Sequence, residues 1–195
     1  MQLRKLASSL IVAGALLTSL GPVLAAEPED TMIIKLKGGD VTVALRPDLA
    51  PKHVAQIKAL VKEGAYKNVA FHRVIDGFMA QTGDVQFGDV EDGFDARRVG
   101  TGGSSKPDLP AEFTSASFER GTVGMARSAD PNSANSQFFI MFAPASHLNG
   151  QYTVVGEVEK GMELVDQIKK GDASANGMVQ NPDRMLDVRM ASDPK

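Results

Sequence analysis

The apolar residues of this chain come in short runs, each broken by Gly, Pro, Asp or Asn. Runs of that length suit strands joined by tight turns better than long helices. "MIIKL", Met32–Leu36, and "VTVAL", Val41–Leu45, flank Gly38-Gly39-Asp40, which reads as a hairpin. Strands are likewise expected at Phe71–Ile75 and Phe78–Thr82 around Asp76-Gly77, then at Thr122–Ala126, Gln137–Phe142 and Thr153–Val158, with Met185–Met190 as the last. Only two segments keep a helical period. Pro51 opens the first, where Val54, Ile57 and Val61 share a face before Gly64 ends it. The second, Met162–Lys169, is short and amphipathic, with Gly171 beyond it. The pattern predicts a mostly β domain with two helices, a closed barrel, because closure leaves no open sheet edge.

The first 25 residues stand apart from this domain. Arg4 and Lys5 begin the chain, the apolar run "LIVAGALLTSL" follows, Gly21 and Pro22 break it, and "VLA" ends at Ala25 before the acidic "AEPED". That order is the one of a cleavable secretory signal, and the apolar run is short for a membrane anchor. Cleavage is expected after Ala25 or Ala26, with Ala25 preferred because Val23 then occupies the −3 position. A periplasmic location follows, with no stable membrane insertion after cleavage. Removing residues 1–25 takes away two basic and no acidic residues, so the formal charge moves from −3 to −5. The remaining residues 26–195 suit one domain, expected to be a monomer.

Several chemistries are excluded early. Mild acidity without a basic patch argues against nucleic acid as a partner. There is no cysteine, hence no disulfide and no thiol chemistry. His53, His72 and His147 lie too far apart to show paired metal-ligand spacing, so no metal site is expected. "GTGGSS", Gly100–Ser105, lacks the Gly-Lys-Ser/Thr ending of a phosphate loop, and "DVEDGFD", Asp89–Asp95, lacks the glycine and glutamate positions of a calcium loop. No Gly-x-Ser-x-Gly elbow is present. The stretch Asp84–Ser117 nevertheless stays unusually long for a loop, and such loops are commonly functional or disordered.

One strand pair carries a polar puzzle. In "FHRVIDGFMAQTGD", Phe71–Asp84, an arginine and a glutamine interrupt apolar runs, and a buried guanidinium is costly unless it is paired. Either Arg73 faces solvent or it works in a cleft.

This block, with "GTVGMARSADPNSANSQFFIMFAP" and "HLNGQYTVVGEVEKGMELVDQI", resembles the cyclophilins, of the type that bacteria export. The blocks keep the family's order and spacing over roughly Met32 to Ala191. The resemblance implies an eight-stranded closed antiparallel β-barrel capped by two helices and peptidyl-prolyl cis/trans isomerase activity without a cofactor. Its partners would be unfolded or partly folded proteins containing X-Pro bonds. It implies catalytic roles for Arg73, Gln81 and Phe139. Phe78, Met79, Phe139 and Leu148 would wall a proline pocket, Gln81 and Gln137 would position the substrate carbonyl and the arginine, and the backbone at Ala126 and Arg127 would hold residues preceding the proline. His72 would sit beside the site in a structural role.

The resemblance also decides a register. A two-residue Asp76-Gly77 turn, favoured by that dipeptide, would pair Arg73 with Ala80. An odd-length loop pairs Arg73 with Gln81 and leaves both on the binding face, as the family requires. Three positions depart from the commoner family pattern. His147 replaces an aromatic at the rim, Arg127 an asparagine, and Tyr152 a histidine at the pocket edge, which bears on substrate preference and inhibitor binding. Two other readings stand beside the enzyme: a proline-peptide binding module or holdase without turnover, and a barrel carrying a small ligand. The chain offers no distinctive polar ligand set for the latter.

Overall fold

Short apolar strands, two of them buried on both faces, are the starting point of the architecture. A computed structural model describes residues 26–194, so the expected export signal lies outside the described residues. Eight strands form: β1 (Thr31–Leu36), β2 (Gly39–Leu45), β3 (Arg73–Ile75), β4 (Met79–Thr82), β5 (Thr122–Met125), β6 (Phe138–Met141), β7 (Val154–Lys160) and β8 (Asp187–Met190). They make one antiparallel sheet in the order β3-β4-β6-β5-β7-β2-β1-β8. The β1–β2 turn is tighter than expected, with Lys37 and Gly38 outside the ladder and Leu36 paired with Gly39.

The strands curl into a half-barrel, and the expected closed barrel is corrected here. Among the described residues β3 and β8 are not paired by a ladder; isolated bridges Ala70↔Arg184 and Arg73↔Met178 stand between them. The reason lies in residues 171–185. This segment takes the outward groups of the β3 side, through Phe71 N–H to Asp183 O and Val74 N–H to Gly177 O, both at 2.8 Å. Asn176 and Asn181 adopt positive φ and Pro182 has no N–H to donate, so the segment cannot run as a regular strand. The edge is covered without being continued.

Helix α1 (Pro51–Lys62) buries Val54, Ile57, Leu60 and Val61 in the main core with Met32, Ile34, Val43, Phe138 and Ile140. The second helix, α2 (Met162–Asp166), is shorter than its amphipathic stretch. Gln167 and Ile168 bond back three residues, to Leu164 O and Val165 O, which ends the α-helical ladder and still buries Ile168.

The N-terminus of α1 has an unusual cap. Ala50 precedes Pro51 and supplies no side-chain acceptor. Glu112, from the long loop, accepts from Lys52 N–H and His53 N–H at 3.1 Å each, and from His53 Nδ1–H at 2.7 Å. Burial pushes the Glu112 pKa up, but the hydrogen bonds from His53 and the helix N–H groups outweigh it and hold the carboxyl below its ordinary value of 4.5. A depressed carboxylate stabilises the fold above that ordinary value, and the contribution disappears as pH falls through the lower, folded value. Glu112→Gln is therefore expected to lose about 1–2 kcal/mol at pH 7, as for a lost cap or charged hydrogen bond. In urea titrations the gap between parent and variant should close below pH 4.5; a pH-independent gap would contradict this assignment.

Candidate active site

The β3–β4 connection sets the geometry. Its loop is Asp76-Gly77-Phe78: Phe78 N–H bonds Ile75 O at 3.0 Å and Gly77 has φ +68°, the three-residue hairpin with a left-handed glycine. Arg73 accordingly pairs with Gln81, Val74 with Ala80 and Ile75 with Met79. The odd-length loop expected above is the one found. Val74, Ala80, Phe138 and Ile140 point into the main core, whereas Met79, Phe139 and Met141 belong to a second apolar cluster on the other face.

The register continues sideways. Gln81 pairs with Phe139 and Phe139 with Gly124, so Arg73, Gln81, Phe139 and Gly124 form one row across β3, β4, β6 and β5. Beside this row lies a cleft of about 440 Å³ lined by Arg73, Phe78, Met79, Gln81, Ala126, Arg127, Phe139, His147, Leu148 and Tyr152, among others. All but one of the expected site residues are on that lining. The exception, Gln137, accepts from Gln81 Nε2 at 2.9 Å through Oε1 and lines a second hollow along Gly100–Gly102. A larger hollow of about 690 Å³ beside Leu36, Leu164 and Arg184 contains none of these residues.

Aromatic contacts shape the apolar wall. Phe139 stacks on Phe118 with centroids 5.7 Å apart, and Tyr152 meets both rings edge-on. Phe78 stacks on His147 at 5.9 Å, which keeps His147 on the rim. The Arg127 guanidinium lies 4.4 Å over the Tyr152 ring while donating to Ser128 O and Gln151 O. The floor also needs Gly124, where a Cβ would stand 2.6 Å from Phe139 and 2.5 Å from Phe118. Phe118 and Gly124 carry no local signal of a site, because only the cross-strand register reveals that they share a floor.

A polar chain backs the row. Arg73 Nη1–H donates to Gln81 Oε1 at 3.2 Å, Gln81 donates to Gln137, and Gln137 Nε2–H donates to Gly102 O at 2.8 Å. Gly102 N–H bonds Asp84, which is fully buried and also accepts from Gln86, Phe87 and Gly100 N–H. One carboxylate thus folds the long loop against the sheet. Burial draws the Arg73 pKa down, yet a guanidinium keeps its charge at any working pH. His72 is buried beside Arg73, and burial pushes its pKa down to about 4, leaving a neutral imidazole at pH 7. Among the described residues no group of three His, Cys, Asp or Glu is placed to hold a metal ion.

A half-barrel with this row and cleft defines a class. Residues 31–190 match the family model described as cyclophilin type peptidyl-prolyl cis-trans isomerase. The chain belongs to that family and is an enzyme of that class. It is 64% identical over 191 residues to a Brucella suis protein named "Probable peptidyl-prolyl cis-trans isomerase", covering 96% of this chain and 97% of that one. An Arabidopsis thaliana peptidyl-prolyl cis-trans isomerase is 32% identical over 173 residues, covering 87% of this chain and 75% of that one. Among solved structures, a cyclophilin from Hirschia baltica superposes with a TM-score of 0.71 at 25% identity, covering 87% of this chain and 77% of that one. A Cryptosporidium parvum cyclophilin crystallised in the presence of the dipeptide Ala-Pro gives 0.70 at 26% identity, covering 84% and 99%.

Gly124→Ala tests the floor. The added methyl must displace Phe139 or Phe118, so a loss of about 1–3 kcal/mol in unfolding free energy is expected, as for overpacked cores. Urea denaturation measures it, and a variant as stable as the parent would show that the stacked rings yield without strain.

Proposed function

We propose that this isomerase accelerates rotation about X-Pro bonds in exported proteins as they fold, with Arg73 as the electrostatic catalyst. The observation that carries the reading is the Arg73 guanidinium on the lining of a cleft that Phe78, Met79, Phe139 and Leu148 also wall, in one cross-strand row with Phe139. Amide rotation meets a barrier of about 18–20 kcal/mol because C–N resonance resists twisting. As the bond twists, the imide nitrogen turns pyramidal and gains a lone pair. A donor aimed at that lone pair binds the twisted state better than either planar state, which lowers the barrier. Phe78, Met79, Phe139, Leu148 and Tyr152 would hold the proline ring and exclude water, strengthening that hydrogen bond. Gln81 and Gln137 would align the guanidinium and the substrate carbonyl, and the backbone at Ala126 and Arg127 would bind the residues before proline. His147 would form the rim. The chemistry needs no general base and no cofactor, and neutral His72 would serve packing.

The Cryptosporidium parvum cyclophilin, crystallised in the presence of Ala-Pro, supports proline-containing peptides as substrates here. Arg73→Ala is expected to lose about 3–4 kcal/mol of transition-state stabilisation, the amount typical of one lost donor at an electrostatic site, while keeping its fold. Arg73→Lys should rescue poorly, since a point charge lacks the planar fork. A protease-coupled assay with a proline peptide measures both, and an alanine variant at the parent rate would overturn the mechanism. The same assay separates the enzyme from a holdase, which would bind the peptide without turnover.

The working form proposed is a periplasmic monomer, residues 26–195, with one isomerase domain, supported by the basic, apolar and small-residue order of residues 1–25. N-terminal sequencing of the exported protein should return Ala26. Intact Met1 in a membrane fraction would contradict it.

A further inference from the structure

The guanidinium of Arg73 has partners on two sides, and only one side was a candidate from the sequence. Nε–H donates to the backbone oxygen of Asn176 at 3.0 Å, and Nη2–H donates to the side-chain Oδ1 of the same residue, also at 3.0 Å. Nη1–H reaches Gln81 Oε1 on the other side. An arginine carries five N–H bonds. Three are therefore held by oxygen, and Nη1 also faces the weakly accepting sulfur of Met79 at 3.9 Å. Two N–H bonds are not taken by oxygen: one on Nη1, beside that sulfur, and one on Nη2, which has no acceptor among the described residues; a substrate would meet these.

Asn176 holds the Nε/Nη2 edge as a carboxylate would, with two oxygens on two parallel N–H bonds. It does so without a negative charge, so the guanidinium keeps its full attraction for a developing lone pair. The placement is built by its own segment. Asp172 O accepts from Ala175 and Gly177 N–H, and Asp172 Oδ1 accepts from Ser174 N–H. Gly171 N–H and Gly177 O bond the two backbone groups of Val74, the neighbour of Arg73 in β3. Gly177 must be glycine for this fit, since a Cβ there would stand 2.4 Å from Ile75 Cγ1. Asn176 itself adopts φ +54°, a conformation that asparagine tolerates better than most residues.

We propose that Asn176 is a positioning residue for the isomerisation, fixing the plane of the Arg73 guanidinium while leaving its charge uncompensated. This rests on the reading of Arg73 as the catalytic donor. Asn176→Gly is the informative substitution, because glycine accommodates the left-handed backbone and keeps the backbone oxygen that accepts from Nε–H, while the side-chain amide with its Oδ1 is removed. The variant, Arg73→Ala, the double variant and the parent are compared in the proline-peptide assay, with enzyme concentration raised for the slow forms. Asn176→Gly should lower kcat about tenfold and change KM less than about twofold, as for a group that acts on the transition state. In the Arg73→Ala background the same substitution should have no further effect, since its whole action runs through the guanidinium. Parent-like turnover by Asn176→Gly, with Arg73→Ala impaired, would overturn the positioning role alone. The same loss in both backgrounds would also overturn it, by showing a loop effect independent of Arg73. Parent-like turnover by Arg73→Ala would instead remove the reading on which the proposal rests.

Discussion

The three-residue Asp76–Phe78 loop is the constraint on which the rest of the site hangs. Side chains alternate along a strand, so the loop length decides which face receives each residue of β3 and β4. With this register Val74 and Ala80 fill the core, and Arg73 and Gln81 face the cleft. A slip by one residue would send Gln81 inward and deprive Arg73 of its amide partner. Desolvation of polar groups opposes that arrangement, so the core itself enforces the functional register. Once β4 is placed, its pairing with β6 puts Phe139 beside Gln81, and the β5 pairing puts Gly124 beneath the ring.

Two kinds of contact then fasten the cleft. Below it, Phe118, Phe139 and Tyr152 pack as an aromatic cluster distinct from the main core. Beside it, neutral amides connect Arg73 through Gln81 and Gln137 to the loop that Asp84 gathers. Amides suit this task because each can accept on one side and donate on the other. Among the described residues the guanidinium is thereby oriented on both sides by neutral groups, with no ion pair. The polar groups are aligned when the chain folds, which is the condition that the proposed electrostatic role of Arg73 requires.

Local patterns in the sequence made much of the fold legible. Short apolar runs between turn residues located all eight strands, and the Pro51 start and Gly64 stop framed α1. Yet local chemistry at Asp76-Gly77 favoured the wrong turn, and the family resemblance overrode it; the structure supplies the reason, since Phe78 belongs to the loop and not to the strand. The barrel stays open because edge protection has more than one solution, and here an irregular segment with Pro182 covers β3. Contacts made across long separations were beyond reach. Glu112 caps a helix that begins at Pro51, and Asn176 meets Arg73 from more than a hundred residues away. The Asn176-Gly177 pair did carry a turn signal, but nothing local says which strand that turn will face.

The four N–H groups gathered by Asp84 tie both ends of the Gln86–Gly102 excursion at a single point. Its exposed tip around Asp92-Gly93 is thus a loop already closed at the base. Lengthening a flexible closed loop is thermodynamically mild, about 0.6 kcal/mol for each doubling. Insertions and deletions at the tip are therefore expected to leave the carbonyl of Gly102, and with it the Gln137 contact, where they are. The buried carboxylate thereby separates the length of this surface arch from the seat of Gly102, so that a tip which changes in length and chemistry is compatible with an unchanged Gln137 contact.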